Sequence, residues 1–236
     1  MKLSVVTPVF NEAEGLPEFL KRLHSVLKYL PSEFEVIFVD DGSTDASWEH
    51  ITAFHRQEPR AKGLRLARHS GHQAAFWAGL QAASGNAIVT LDSDLQHPPE
   101  KIHELIKGWQ QGFDLVYGCK TEQLGRSKLK KSINLFFNRL LTLRSGVDLH
   151  PEASDFQLLD RGLAAKVIRF WRPPFFLRAW VHALAVKKKP VYFRADRRRF
   201  GKTKHSLFLL SRLGIYSLLF FPSRREFDKM SAETLS

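Results

Sequence analysis

The stretch FEVIFVDDGS, residues 34–43, decides the fold class. Residues 34–39 are apolar except for one glutamate, a composition typical of a strand that is covered on both faces of a parallel sheet. Two aspartates and a glycine turn follow, and residues 45–57 then show a helical pattern. A buried strand that ends in polar residues and leads into a helix is the repeating unit of an α/β domain.

The same unit recurs through the first half of the chain. Further apolar runs predict strands, and the amphipathic stretches between them predict helices. These runs occupy residues 3–9, 86–92 and 113–118. The alternation predicts an α/β fold with a mostly parallel central sheet and helices on both faces, in one catalytic domain over residues 1–205.

Acidic residues follow two of these predicted strands. Asp40 and Asp41 end one strand, and Asp92 and Asp94 end a later one. Because ligands of parallel sheets bind beyond the carboxyl ends of the strands, we expect both pairs to converge on one crevice. Asp41 would accept a hydrogen bond from a ribose hydroxyl or a base N–H, whereas a turn-forming role is the alternative for Asp40.

The spacing of Asp92 and Asp94 suits a metal ion. Residues two apart in a strand point the same way, so the two carboxylates can meet at one point, with Gln96 two residues further on. Mg²⁺ in proteins is commonly held by one or two carboxylates together with substrate phosphate oxygens. A D-x-D pair standing alone is also typical of a solvated turn or a helix cap, so the spacing leaves both interpretations open.

Composition and charge limit the function classes. The chain of 236 residues has one cysteine, Cys119, which excludes an intrachain disulfide and a cysteine-based zinc site. The formal net charge is −4 over residues 1–119 and +16 over residues 120–236, which indicates a polyanionic partner such as phosphates, nucleic acid or an anionic membrane. No nucleic-acid-binding motif accompanies this charge, and the N-terminus lacks a signal-peptide pattern. We therefore expect a cytoplasmic protein without a nucleic-acid partner.

Residues 206–236 form a separate apolar and basic segment in this prediction. The apolar run at residues 207–221 is shorter than the ~20 apolar residues of a membrane-spanning helix, and it contains Arg212. Two interpretations stay open for it. One is a helix packed on the domain, and the other is a helix lying in a membrane interface or against a membrane partner, with a tail after it.

Six motifs occur in order along the chain and together resemble one enzyme family. They are PVFNE, VDDGSTD, GHQAA, LDSDLQHPPE, SDFQLLD and RRFGKTKHS. The set resembles the family 2 inverting glycosyltransferases of GT-A fold, and within them the dolichol-phosphate mannosyltransferases and bacterial polyprenyl-phosphate glycosyltransferases. This resemblance implies an enzyme that moves a sugar from a UDP- or GDP-sugar to a dolichyl or undecaprenyl phosphate.

The resemblance also implies roles by position. Mg²⁺ or Mn²⁺ would lie on the donor diphosphate, held by Asp92, Asp94 and Gln96. Lys120 stands where such enzymes often carry an arginine that binds phosphate. The whole nucleotide-sugar pocket would be formed by Pro8, Phe10, Glu12, Val39, Asp41, Asp92, Ser93, Asp94, Gln96, Lys120, Arg198 and Lys204.

The predicted catalytic residues are Asp94, Asp155 and Arg198. A lipid phosphate has its second pKa at about 6, so it is already an anionic nucleophile at neutral pH and needs positioning and charge relief more than a strong base. Asp155 would orient the acceptor or the sugar, or act as a weak base; a structural carboxylate paired with a nearby arginine is the alternative. Arg198 and Lys204 would grip phosphates of the donor or the acceptor.

Two other functions stay open at this point. A saccharide or another lipid would replace the polyprenyl phosphate in the same fold, and a non-catalytic basic phosphate-binding module would share the charge without needing the acidic motifs. Bacterial relatives often continue into two transmembrane helices, whereas this sequence ends soon after residue 222. We expect a peripheral protein on the cytoplasmic face of a membrane, held by its basic surface or by a membrane-protein partner, and leave open a homo-oligomer.

Overall fold

The computed structural model describes residues 1–30, 33–121, 138–143, 145–147, 149–170, 176–195, 222 and 226. These residues contain a seven-stranded sheet flanked by helices. The strands are β1 Lys2–Val9, β2 Glu33–Asp40, β3 Ala61–Arg65, β4 Ala87–Thr90, β5 Leu115–Lys120, β6 Ala153–Asp160 and β7 Lys188–Phe193. The helices are α1 Leu16–Leu27, α2 Ser47–Gln57, α3 His72–Ala82, α4 Ile102–Gln110, α5 Arg161–Phe170 and α6 Leu177–Leu184.

The strands lie in the order β3-β2-β1-β4-β6-β5-β7. Neighbouring strands are parallel from β3 to β4, and β5 is parallel to β7. Strand β6 alone runs in the opposite direction, antiparallel to both β4 and β5. The predicted mostly parallel α/β sheet is therefore confirmed, with one reversed strand inserted in it.

This topology brings several strand ends to one edge of the sheet. Val9 pairs with Asp40, so β1 and β2 end side by side, and β4 ends next to β1 at Thr90. Because β6 is reversed, its first residues lie at that same edge, near the end of β4. Strand β5 runs with β4 and brings Lys120 there as well. We call this the carboxyl edge of the sheet.

Apolar helix faces cover both sides of the sheet, as predicted. Helix α1 repeats apolar residues at helical spacing from Leu16 to Leu27, and these side chains pack with those of α2 and α4 in one core cluster. Helices α3, α5 and α6 contribute to a second cluster, on the other face. Helix α3 lies unusually close to β1, because a Cβ on Gly79 would come within 2.2 Å of Val6 Cγ1.

Within the described ranges, no helix is both long enough and apolar enough to cross a membrane. The predicted segment over residues 206–236 falls almost entirely outside these ranges. The domain boundary at residue 205, and the two interpretations of the apolar run that follows it, therefore stay predictions.

Candidate active site at the carboxyl edge

The loops after β1 and β2 are joined by hydrogen bonds at the carboxyl edge. The N–H of Asn11 donates to Ser43 Oγ at 2.9 Å, and Thr44 N–H donates to Asn11 Oδ1 at 2.8 Å. Asp45 accepts from Ala13 N–H at 3.0 Å, and also from a backbone N–H at the start of α2. These bonds fix the two loops against each other and so shape one wall of the crevice.

Asp41 is buried, and both of its carboxylate oxygens are engaged by the loop that precedes α3. Ser70 N–H donates to Oδ1 at 2.7 Å, while Gly71 N–H at 2.9 Å and His69 Nδ1 at 2.8 Å meet Oδ2. Gly42, at φ +74°, lets this loop come close, because a Cβ at that position would lie 2.8 Å from the backbone nitrogen of His69. Asp41 thus anchors the loop, and its predicted role in nucleotide binding stays a prediction.

Phe10 and His69 form a parallel ring stack beside these loops. Their ring centroids are 3.9 Å apart and the planes differ by 16°. The side chain of His69 is 54% exposed, so its outer face is open to solvent. A planar aromatic surface of this kind suits a nucleotide base.

Four further residues of the predicted nucleotide pocket lie in β1 and β2 or in the loops after β1 and β4, namely Pro8, Val39, Glu12 and Ser93. The Pro8 carbonyl accepts a hydrogen bond from Ser93 Oγ at 3.0 Å, which ties the end of β1 to the loop after β4. Glu12 is partly exposed, and its N–H donates to Ser47 Oγ at 2.8 Å. Val39 is completely buried, main chain included, beside Gly79 of α3, so its predicted contact with the nucleotide stays a prediction.

Asp92 lies between two histidines. His72, the first residue of α3, places Nε2 2.8 Å from Asp92 Oδ1. Burial opposes the charged imidazole, but the Asp92 carboxylate outweighs it and raises the pKa of His72 to about 9. Burial likewise opposes the charge on Asp92, but His72 and then His97 hold the pKa of Asp92 well below its usual range. The pair is therefore an ion pair at neutral pH.

His97 is the second histidine beside Asp92. It is only 3% exposed, its ring stacks on Phe156, and its Nδ1 lies 3.2 Å from Asp92 Oδ2. That approach is poorly aligned, and among the residues that the structure describes neither ring nitrogen finds a well-formed hydrogen bond. A buried imidazole with unmet nitrogens beside a carboxylate is suited to metal ligation.

Asp92, Asp94 and His97 present donor atoms that all lie within 4.8 Å of one another. Two carboxylates and one imidazole form a donor set that fits a divalent cation such as Mn²⁺, and carboxylates with substrate oxygens also suit Mg²⁺. Asp94 Oδ1 accepts Gln96 N–H at 3.1 Å, which shapes the turn. The residues present therefore fit the predicted metal, with His97 as a candidate ligand that the sequence analysis missed.

The side chain of Gln96 contacts the ammonium group of Lys120. Its Oε1 accepts from Lys120 Nζ at 3.3 Å. This contact joins the loop after β4 to the end of β5 and places the Lys120 charge beside the D-x-D turn. Metal ligation by Gln96 and phosphate binding by Lys120 both stay predictions.

Asp155 reaches the same site from β6. Its carbonyl accepts a hydrogen bond from Thr90 Oγ1 at 2.5 Å, which holds it beside the end of β4. The carboxylates of Asp155 and Asp94 both add to the negative field that acts on His72. Asp155 Oδ1 lies 3.9 Å from Arg178 Nε on α6, the kind of arginine neighbour that the sequence analysis kept as an alternative.

Two predicted residues cannot be placed. Arg198 and Lys204 lie outside the described residues, so their predicted phosphate-binding roles stay predictions. At the carboxyl edge, the described residues include three cationic side chains beside Asp92, Asp94 and Asp155; these are His72, Lys120 and Arg178. A crevice that combines a divalent-cation site with separate cations can hold a diphosphate and a further phosphate together.

The mostly parallel sheet, with its acidic pair at the carboxyl edge, has the GT-A fold, which the solved structures described below share. The chain belongs to glycosyl transferase family 2, whose sequence profile matches residues 4–168. The predicted fold and the predicted glycosyltransferase class are thereby confirmed, whereas the predicted dependence on a metal stays a prediction.

Three curated relatives match nearly the whole chain. The uncharacterized glycosyltransferase YkcC of Bacillus subtilis strain 168 is 35% identical, over 94% of this chain and 68% of the relative. The bactoprenol glucosyl transferase of Shigella phage SfV is 33% identical, over 95% and 74%. The undecaprenyl-phosphate 4-deoxy-4-formamido-L-arabinose transferase of Photorhabdus laumondii is 33% identical, over 92% and 67%.

Solved structures share the fold at lower identity. S. aureus TarS 1–349 in complex with UDP-GlcNAc has a TM-score of 0.63 at 19% identity, over 100% of this chain and 72% of that chain. Glucosyl-3-phosphoglycerate synthase from Mycobacterium tuberculosis, in complex with Mn²⁺, UDP and glucosyl-3-phosphoglycerate, has a TM-score of 0.62 at 20% identity, over 94% and 81%. At these identities the likeness establishes a common fold.

Proposed function

We propose that this chain is a metal-dependent glycosyltransferase that moves a sugar from a nucleoside-diphosphate sugar to the phosphate of a polyprenyl phosphate. The observation that carries the proposal is the meeting of the Asp92–Asp94 carboxylates with separate cationic side chains at one sheet edge. The names of two relatives, a bactoprenol glucosyl transferase and an undecaprenyl-phosphate sugar transferase, support this class of acceptor.

The donor side of the site is built from the loop after β4, the end of β5 and the loop that precedes α3. Asp92, Asp94 and His97 would hold the cation, which neutralises the leaving diphosphate as a Lewis acid when bound. Lys120 adds positive charge beside the same turn. The exposed face of His69 offers a flat surface for the base.

The acceptor phosphate is the nucleophile in this proposal. One of its oxygens forms a bond to the anomeric carbon of the sugar while the bond from that carbon to the diphosphate oxygen breaks, and the nucleoside diphosphate leaves with the bonding electrons. Attack opposite the leaving group inverts the anomeric centre. No proton has to be removed, because the phosphate is already ionised near pH 7, so the site's task is to hold two anions in line.

The proposed class of acceptor also implies where in the cell the reaction takes place. A polyprenyl phosphate is embedded in a lipid bilayer, so the enzyme would work at a membrane surface. The chain carries a net charge of +12, which favours an anionic surface. We propose peripheral attachment on the cytoplasmic side, where sugar nucleotides are available.

The proposal is tested with radiolabelled UDP-glucose, UDP-N-acetylglucosamine and GDP-mannose. Each is offered with undecaprenyl phosphate, dolichyl phosphate or a neutral oligosaccharide, in the presence of Mn²⁺. We expect label in the organic phase with at least one donor and only with a lipid phosphate. Label transferred to the oligosaccharide instead would replace the acceptor class, and no transfer to any acceptor would refute the proposal.

A further inference from the structure

Arg178 is a charged residue near the start of a helix whose other residues are apolar except for the buried His182. Helix α6 buries Leu177, Ala179, Trp180 and Val181, while the Arg178 side chain remains 22% exposed, toward Asp155. Within the described part of the chain, its guanidinium makes one hydrogen bond, from Nη1 to the Ala153 carbonyl at 2.5 Å. A guanidinium has five N–H donors, so most of its capacity is unused.

Asp155, a neighbouring carboxylate, does not supply the missing hydrogen-bond acceptor for the Arg178 guanidinium. Asp155 Oδ1 lies 3.9 Å from Arg178 Nε, which is too far for a hydrogen bond, and no other described residue accepts a hydrogen bond from the buried Nε. The ring of Phe176 lies against the guanidinium, with its centroid 4.8 Å from Cζ, and offers no acceptor oxygen. A largely buried cation with unmet donors is costly unless an anion completes it.

Arg178 is held in place through α3, the helix whose first residue, His72, contacts Asp92. Gln73 Oε1, one residue after His72 in α3, accepts the N–H of Leu177 at 2.9 Å. The start of α6 is therefore tied to the start of α3, which also supplies the contact to Asp92. Arg178 is thus held in place before any substrate arrives, which reduces the entropy lost on binding an anion.

We propose that Arg178 binds the phosphate of the acceptor, and that Asp155 positions Arg178 rather than taking a proton. A guanidinium fork matches phosphate oxygens in bidentate geometry, and its fixed charge offsets the repulsion between an acceptor phosphate and the donor diphosphate. A neighbouring carboxylate orients the fork without saturating it. This inference rests on the proposed function and assigns its acceptor subsite to α6 and β6.

The test compares Arg178→Gln and Arg178→Lys with the wild type. The matched control is Arg169→Gln, an exposed arginine on α5. Initial rates are measured with radiolabelled donor and undecaprenyl phosphate in detergent micelles, each substrate being varied in turn. We expect kcat/KM for undecaprenyl phosphate to fall about 10–100-fold in Arg178→Gln, with partial recovery in Arg178→Lys and no change in the control. The donor KM should stay within about twofold.

A binding measurement separates a lost subsite from a lost fold. Calorimetry with the nucleoside diphosphate product and Mn²⁺ should give the same Kd in the wild type and in Arg178→Gln. If Arg178→Gln does not fold, Arg178→Lys carries the test, because it keeps the charge but loses the fork. An equal rise in donor KM, or an unchanged kcat/KM for undecaprenyl phosphate, would overturn the inference while leaving the proposed function intact. A wild type that transfers no sugar to either undecaprenyl phosphate or dolichyl phosphate would overturn both.

Asp155→Asn decides between positioning and proton transfer. If Asp155 is a positioning residue, Asp155→Asn should lower kcat/KM for undecaprenyl phosphate, as Arg178→Gln does. The shape of the pH profile of kcat should then stay the same as in the wild type. Loss of the acidic limb of that profile, together with a fall in kcat of about 10²–10⁴-fold, would instead identify Asp155 as a general base.

Discussion

The imidazole of His72 donates a hydrogen bond to Asp92 across 2.8 Å, although the two residues lie on different elements and are twenty positions apart. Asp92 would hold the metal, and His72 fixes its orientation from the opposite side. Because Asp92 raises the pKa of His72 to about 9 against the effect of burial, the bond is charge-assisted at neutral pH. Outer contacts of this kind orient the groups that ligate metals.

Replacing His72 should therefore weaken the metal site without removing a proposed ligand. We expect His72→Ala to lower Mn²⁺ affinity or activity about 10–100-fold, the usual effect of removing an outer partner. The apparent Mn²⁺ activation constant of sugar transfer measures this. The control is His50→Ala on α2, which should leave the constant unaltered. Equal Mn²⁺ activation of His72→Ala and the wild type would show that Asp92 does not need this partner.

The close approach of α3 to β1 predicts that an alanine at Gly79 destabilises the fold, whereas helix propensity predicts the opposite. A Cβ on Gly79 would lie 2.2 Å from Val6 Cγ1, so Gly79→Ala should destabilise the fold by about 1–3 kcal/mol through overpacking. Helix propensity alone predicts the opposite, a gain of about 1 kcal/mol. Urea denaturation measures the difference, with the exposed Gln81→Ala on the same helix as control. A gain in stability in Gly79→Ala would contradict the packing of α3 described above.

The buried imidazole of His182 predicts how stability depends on pH. Burial, and then the charges of Lys188, Arg178 and His150, lower the pKa of His182 to about 3. Its ring packs edge-on against Tyr117 and is 2% exposed. Below the ordinary histidine pKa of about 6.5, the unfolded chain binds a proton that the folded chain does not, so this residue makes stability fall as pH falls, by about 1.4 kcal/mol per unit.

His182→Phe should remove that contribution while keeping a ring against Tyr117. The free energy of unfolding is measured for both proteins at pH 7.5 and pH 5.5. We expect the loss between the two values to be about 1.4 kcal/mol smaller in the variant than in the wild type. Parallel pH dependences in the two proteins would mean that His182 is protonated in the folded state.

Much of the fold and part of the site could be predicted from local patterns. The alternation of apolar strands with helices indicated a parallel sheet, and that sheet brings the residues after β2 and β4, Asp41 and Asp92, to one edge. The reversed direction of β6 could not be predicted in this way, because a short apolar strand reads the same in either direction. That reversal is what places Asp155 at the carboxyl edge.

The residues that sequence reasoning missed depend on contacts between distant elements. His97 stands inside a quoted motif, but its approach to Asp92 follows from the left-handed turn at Leu95, at φ 63°, and from packing against Phe156. Arg178 had a local signal, a single charge beside the apolar residues of a helix. Its neighbour Asp155 lies on another element, and only the tertiary fold brings them together.

The central claim is that Asp92 and Asp94 hold the divalent cation on which sugar transfer depends. The most direct measurement is the rate of transfer to undecaprenyl phosphate during a Mn²⁺ titration of chelated protein, for the wild type, for Asp94→Asn and for the exposed control Glu49→Gln. We predict no transfer in EDTA, restoration by Mn²⁺ in the wild type and control, and a loss of about 10³-fold or more in Asp94→Asn, since a Lewis acid contributes several kcal/mol. Full activity in EDTA, or in Asp94→Asn, would contradict the claim.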